Sequence, residues 1–228
     1  MKSVFLLGDS YGVERSRNGE ITVPMQLTFG EIVRSRFPNL EVSCNFKKFR
    51  KITECFEIIK EDNSADILFI HAGIVDVFPR PLNQKMTNSS KLFPKIIRFL
   101  SQRFRKEFLN YIYNKPWSTD NEIANAIKDI ISLRKDKITY FINITPVIYE
   151  WHYIAPGCQV NLFRFNELLQ KFADNKNVFI IDMQAETIKN GFLQYLDEKD
   201  SHFNIRGNEL LANIITQEII RIEASIAK

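Results

Sequence analysis

Short apolar runs alternate along this chain with longer stretches in which apolar residues recur every three or four positions. The runs at 4–7, 66–73, 138–144 and 178–182 have the length of strands. The run at 66–73 is apolar on both faces, as a central strand of a parallel sheet should be, and 40–45 reads as a further short strand. Helical spacing begins after Pro24, where Met25, Leu27, Phe29, Ile32, Val33 and Phe37 repeat until Pro38-Asn39 stops them. Residues 52–59 predict a helix with Phe56 and Ile59 inward, and 90–113 a long helix. A capping box of Thr119 and Glu122 opens a helix with Ile123, Ile127, Ile130 and Ile131 inward. Helices at 162–172 and about 206–222 complete the pattern. Residues 11–23 are polar, contain Gly12 and Gly19, and read as a loop.

This alternation predicts an α/β fold, a three-layer α/β/α sandwich, because right-handed crossovers place helices on both faces of a parallel sheet. Five strands in the flavodoxin-like order 2-1-3-4-5 are expected. Ligands then bind beyond the carboxyl ends of the strands, near the first strand. The 228 residues show no linker, repeat or low-complexity tract, so one domain over 1–228 is expected, with a helical insertion at about 84–118. No apolar run reaches the ~20 residues that span a bilayer, and the N-terminus does not read as a signal peptide, which points to the cytoplasm.

Composition narrows the chemistry. Cys44, Cys55 and Cys158 are odd in number with no C-x-x-C spacing, which suggests neither a disulfide framework nor a zinc site. No metal cluster or phosphate-cradling glycine loop stands out, so no cofactor is expected. The net charge of +4 is too weak a field for a nucleic-acid binder, though it suits an anionic small substrate.

The first strand runs into Gly8-Asp9-Ser10, a tight turn that lifts a serine off the sheet edge. Ser10 is either a turn cap or a nucleophile, and a nucleophile requires a base and an acid to orient it. His202 is the plausible base. Asp200 lies two residues before it, and in an extended segment such residues point the same way, so Asp200 can hold the imidazole; Asp197 is the fallback acid. His71 lies inside a buried strand and reads as a hydrogen-bonded core histidine. His152, in the aromatic stretch 149–153, either lines a cleft where a sugar stacks or packs within its loop. Arg15 and Arg80 leave loops on the same edge, as carboxylate or phosphate clamps or as partners in internal salt bridges, Arg80 with Asp76 or Asp9. The basic run 95–106 gives the helix at about 91–112 either a solvated basic face over a core face or a peripheral contact with an anionic membrane or a second subunit.

Gly8-Asp9-Ser10 after the first strand, Gly73 with Asp76 after the third, and Asp200-x-His202 before the last helix together resemble the SGNH/GDSL hydrolase superfamily. The form Gly73-Ile74-Val75-Asp76-x-x-Pro79-Arg80 is similar to a bacterial branch associated with surface-polysaccharide loci. The resemblance implies Ser10 as nucleophile, His202 as base and Asp200 as orienting acid. It implies an oxyanion site from the Ser10 and Gly73 N–H groups, with Asn45 or Arg50 nearby, and substrate contacts among Arg15, Asn45, Arg50, Asp76, Arg80 and His152. The implied activity is an esterase or O-acyltransferase acting on an acylated, typically O-acetylated, saccharide; a transferase would use a soluble donor such as acetyl-CoA. Three departures stand against the family pattern. Val75 occupies the position of the family's oxyanion asparagine, 45–53 contains no glycine, and Lys199 stands three residues before the histidine, where the acid is common. A catalytically degenerate glycan- or partner-binding protein is the alternative.

Overall fold

The apolar runs become a five-stranded parallel sheet because each can bury both faces beneath helices. The computed structural model describes residues 3–87, 89–174 and 176–226. In chain order, β1 (Ser3–Gly8) is followed by a hairpin of β2 (Arg15–Arg17) and β3 (Glu20–Val23), then α1 (Phe29–Arg36), β4 (Glu41–Phe46), α2 (Ile52–Glu61), β5 (Ile67–His71) and the short α3 (Ile74–Val77). Next come α4 (Gln84–Thr87), α5 (Leu92–Arg103), α6 (Arg105–Glu107), α7 (Asp120–Leu133), β6 (Ile138–Ile142), α8 (Tyr149–Ile154) and α9 (Cys158–Gln170). The chain continues through β7 (Val178–Ile181), α10 (Met183–Lys189), β8 (Leu196–Asp197) and β9 (Asp200–Phe203) to α11 (Ile205–Ile226).

The sheet order is β4-β1-β5-β6-β7, with every pairing parallel, which is the expected 2-1-3-4-5 arrangement. The step from β1 to β4 runs one way across the sheet and all later crossovers run the other. Right-handed crossovers therefore put α1 on one face and α2, α7 and α9 on the opposite one, giving three layers. α1 packs on α11, and α2 packs on α7. Gly8 lies level with Phe46 on one neighbouring strand and His71 on the other. The segments that follow, from Asp9, Lys47 and Ala72, consequently leave the sheet along one edge, beside the point where the strand order reverses.

Several local elements differ from the sequence expectation. The polar stretch 11–23 contains the β2–β3 hairpin, turned at Asn18 (φ 51°) and Gly19 (φ 84°). Asn-Gly suits the two-residue hairpin turn that needs positive φ at both positions. In α2 the buried side chains are Ile52, Cys55 and Ile59, while Phe56 is half-buried. The helix expected at 90–113 is α5, which stops at Phe104, followed by α6 and a wide π-turn over Phe108–Ile112. The aromatic stretch from Tyr149 forms α8 rather than a loop. The capping box of Thr119 and Glu122 opens α7.

Candidate active site

β1 ends at Gly8, and the next residue fixes the turn that follows. Asp9 donates its N–H to the His71 carbonyl at the end of β5 (3.0 Å), and its carboxylate accepts the Tyr11 N–H (3.1 Å). Ser10 thus begins a short 3-10 turn tied to two strands, with its Oγ 2.8 Å from His202 Nε2. The other half comes from β9, whose extended backbone alternates: Ser201 and Phe203 are buried, and Asp200 and His202 face the cleft. The Tyr11 hydroxyl donates to the Ser201 carbonyl (2.6 Å), joining β9 to the Ser10 turn.

His202 Nδ1 lies 2.5 Å from Asp200 Oδ1, and the other carboxylate oxygen of Asp200 accepts from the Arg15 guanidinium. An ionised carboxylate can only accept, so this contact places the ring proton on Nδ1 and leaves Nε2 to accept from Ser10. Asp197 is engaged elsewhere, by Arg17 and by the Lys199 N–H (3.0 Å). Burial, and next the Arg15 guanidinium, push the His202 imidazole down to about 3, so it is neutral at pH 7 with Nε2 free to accept a proton.

These groups open on a cleft of about 470 Å³, walled by Ile74, Val75, Phe78 and Trp151 and carrying Arg15, Lys48, Arg80 and Arg105. Gly73 does not line it. Its φ is +133°, and a Cβ there would lie 2.1 Å from the Phe165 ring, so glycine serves a close approach behind the cleft. Its carbonyl accepts the Asp76 and Val77 N–H groups (3.0 and 3.1 Å), and Ile74 and Val75 present the turn to the cleft instead. Val75 makes an apolar wall where an asparagine would have offered an amide. Across the cleft, the turn from Lys47 to Arg50 closes through Arg50 N–H to the Lys47 carbonyl (3.3 Å), with Phe49 at φ 63°. A phenylalanine there holds the left-handed conformation that usually selects glycine.

The remaining expectations divide. Arg15 is paired with Asp200 and forms part of the cleft wall. Arg50 is buried and donates to the Gly8 carbonyl (3.0 Å) and to Asn45 Oδ1 (2.7 Å), so both residues brace the β1 and β4 ends and neither lines the cleft. Asp76 is wholly buried: its carboxylate accepts the Ile52 N–H (2.9 Å) and the Ser118 hydroxyl (2.6 Å), tying α2 and the start of α7 to α3. Burial pushes its carboxyl up to about 6. His152 points to solvent beside Tyr149, and its neighbour Trp151 faces the cleft. His71 is buried, but its ring nitrogens find no hydrogen-bond partner among the described residues: its Nδ1 lies 3.7 Å from Asp9, and its ring packs against Tyr11. Lys48 and Arg105 are cleft residues that the sequence did not single out, and Trp151 is the member of the aromatic stretch that reaches the cleft. The aromatic stretch was the signal for Trp151, and Arg105, which arrives on α6, lay within the basic run 95–106. Among the described residues, no group of three His, Cys, Asp or Glu side chains is placed to hold a metal ion.

No protein-family model and no curated protein matches this sequence. Solved structures do match its fold. A lipase/acylhydrolase from Enterococcus faecalis superposes with a TM-score of 0.66 at 14% identity, covering 96% of this chain and 95% of that one. A carbohydrate acetylesterase family member from Sinorhizobium meliloti gives 0.62 at 10% identity, over 97% and 98%. A catalytic mutant of an acetylxylan esterase from Geobacillus stearothermophilus gives 0.60 at 15% identity, over 96% and 94%. Across nearly its whole length, then, the chain has the three-layer fold on which these ester hydrolases are built.

Proposed function

We propose that this protein is a serine-dependent ester hydrolase of the SGNH/GDSL type, removing an acyl group, in the simplest case acetyl, from a saccharide. The observation that carries the reading is the relay from Ser10 Oγ through His202 to Asp200, assembled from residues 192 positions apart and opening on a cleft. In the first half-reaction Ser10 Oγ attacks the ester carbonyl while His202 Nε2 takes its proton. The tetrahedral adduct collapses, the alkoxy bond breaks, and the leaving alcohol receives that proton from His202. Water then repeats the sequence on the acyl-serine, releasing the carboxylic acid and restoring Ser10. Asp200 stabilises the transient imidazolium. The Ser10 N–H, at the start of its 3-10 turn where no intrahelical acceptor exists, is an oxyanion donor. The acetylesterase and acetylxylan esterase names of the structural neighbours support a saccharide ester.

Hydrolysis of p-nitrophenyl acetate and of an O-acetylated sugar, lost in Ser10→Ala, tests the reading. No turnover, together with no labelling of Ser10 by a fluorophosphonate, would replace it with the alternative of a glycan-binding protein.

We further propose that the enzyme attaches to an anionic membrane surface through α5. Leu92, Phe93, Ile96 and Phe99 all face solvent, Phe93 and Phe99 being 70% and 67% exposed. Residues 84–115 hold eight Lys or Arg against one Glu, +7 in a chain whose total is +4, so the remainder is acidic at −3. An outward apolar stripe with basic flanks is the pattern of an interfacial helix. No described helix is long and apolar enough to cross a membrane. Co-sedimentation with phosphatidylglycerol vesicles, weakened by salt and absent with phosphatidylcholine, is expected; equal indifference to both would remove the attachment.

A further inference from the structure

The cleft beside Ser10 carries more positive charge than an ester relay uses. Of its basic groups, Arg15 is neutralised by Asp200. Arg80 and Arg105 form no ion pair among the described residues, although both line the same cleft. Arg80 comes from the loop after α3. Its guanidinium carbon lies 4.6 Å from the Trp117 ring centroid and 5.7 Å from that of Phe78, and its Nε is buried with no hydrogen-bond partner. Arg105, from α6, lies 5.9 Å from the same Phe78 ring and 5.9 Å from Trp151. It donates to the Ile154 and Pro79 carbonyls (3.1 and 2.9 Å), which fix its direction without cancelling its charge.

Two guanidinium groups flanking one phenylalanine repel each other, and burial makes their charge harder to hold. Arg80 shows the effect: burial, then the neighbouring Arg105, lower it to about 10. The acid that acts on Arg80 through space, Asp76, forms no ion pair with it and accepts instead from Ile52 and Ser118. Aromatic faces attract a cation but leave its N–H groups without acceptors. An oxyanion satisfies both requirements, because guanidinium binds carboxylate or phosphate oxygens through paired hydrogen bonds.

We propose that Arg80 and Arg105 form an anion subsite, so that the ester handled at Ser10 carries a carboxylate or phosphate group on its alcohol portion. The proposal rests on the ester-hydrolase reading for its reaction, but not for its binding. A site built around polar groups rejects a ligand that leaves them unpaired, and this is the origin of the expected preference. Arg80 and Arg105 thereby become specificity-determining residues at a distance from the bond broken. Trp151 supplies an apolar wall of the cleft beside the two guanidinium groups.

The test compares kcat/KM for the methyl glycosides of O-acetylglucuronate and O-acetylglucose and for an O-acetylated glucose phosphate. In parallel, free glucuronate, inorganic phosphate and glucose are titrated into the Ser10→Ala protein at low and high salt. The acetylated anions are expected to exceed the neutral ester at least tenfold, carried mainly by KM, and the better of the two identifies carboxylate or phosphate as the group read. In Arg80→Gln and in Arg105→Gln that ratio should fall toward one, and Arg80→Lys, which keeps the charge but not the paired geometry, should retain part of it. Ser10→Ala should bind an anion in a salt-dependent manner and not glucose. Turnover of p-nitrophenyl acetate with no preference for either anionic ester, and no anion binding by Ser10→Ala, overturns the subsite while leaving the hydrolase intact. Salt-sensitive anion binding with no ester turned over would keep the subsite and remove the hydrolase. These ligand comparisons use chains with unaltered arginines, so a variant that fails to fold does not spare the proposal.

Discussion

The corner around Ser10 and the helical segment from α4 to the π-turn are built from similar ingredients, apolar side chains with interspersed basic residues, and they use them in opposite ways. At the corner, polar groups are drawn into a dense assembly: Ser10 against His202, His202 against Asp200, Asp200 against Arg15, with the Tyr11 ring tilted against His202 at 4.7 Å between centroids. In α5 the apolar side chains point outward, Ser101 is the fully buried residue, and Arg98 turns inward to the Thr87 carbonyl (2.8 Å). Amphipathic spacing therefore predicts a helix with two faces, but not which face the protein covers. That choice is made by what lies underneath, and the groove beside α5 is of mixed character, lined by Lys47, Lys48, Glu54 and Gln84 together with Phe49 and Trp117.

The contrast can be broken most decisively at the corner. Ser10→Ala or His202→Ala is expected to lower kcat for an acetyl ester by about 10⁴ or more, and Asp200→Asn by roughly 10²–10⁴ with the fold intact, as judged by circular dichroism. Residual activity near wild type in any of the three would show that the assembly is structural only. The next effect is on stability. Gly73→Ala forces a side chain into left-handed backbone against the Phe165 ring, and a loss of roughly 3 kcal/mol or more is expected in urea unfolding.

Acid sharpens the same boundary. Catalysis requires neutral His202, which is held down to about 3, so kcat/KM should persist below the usual histidine range near pH 6.5. Arg15→Gln removes a cation that disfavours the imidazolium, and the acid limb should move to higher pH; a limb that stays in place would show that Arg15 does not act on His202. The linked stability has a definite sign. Below about pH 6.5 the unfolded histidine binds a proton that the folded one refuses, so stability from this group is present above that pH and lost as pH falls toward 3.

Smaller effects are expected where the chain is less constrained. Phe49→Gly relieves left-handed backbone and should gain about 1 kcal/mol, less the higher entropy of the unfolded glycine. Smallest is Phe99→Glu in α5, which should shift stability by under about 0.5 kcal/mol while reducing binding to anionic vesicles, because the side chain it replaces is already in water. A large loss of stability there would mean that the outward face is covered within the fold.

The strands were legible because a sheet buried on both faces demands unbroken apolar runs, as in Ile67–His71, where all five residues are buried. The Asp200-x-His202 spacing was legible because strand geometry alternates. The β2–β3 hairpin was missed although Asn18-Gly19 announces it, since polarity was weighed above turn chemistry. Asn45, Arg50 and Asp76 were placed correctly at strand ends but misread, because nothing in a linear pattern shows whether a polar side chain turns toward the cleft or back to cap a strand. Asp76 turned back, to the free N–H of Ile52 at the start of α2.

By itself the sequence determined the layers, the strand order and the edge at which chemistry is placed, since these follow from periodicity, crossover handedness and the positions of Gly8-Asp9-Ser10 and His202. Only the tertiary structure decided how that edge is furnished. Parallel pairing of β1 and β5 brings Asp9 to the His71 carbonyl, and the β9 ribbon then brings a histidine to a serine 192 residues away. It also decided that Arg80 and Arg105, from separate segments, flank one phenylalanine and form no ion pair among the described residues. Local propensity acts over a few residues, whereas the charge balance of a cleft is a sum over segments that meet only when the chain has folded.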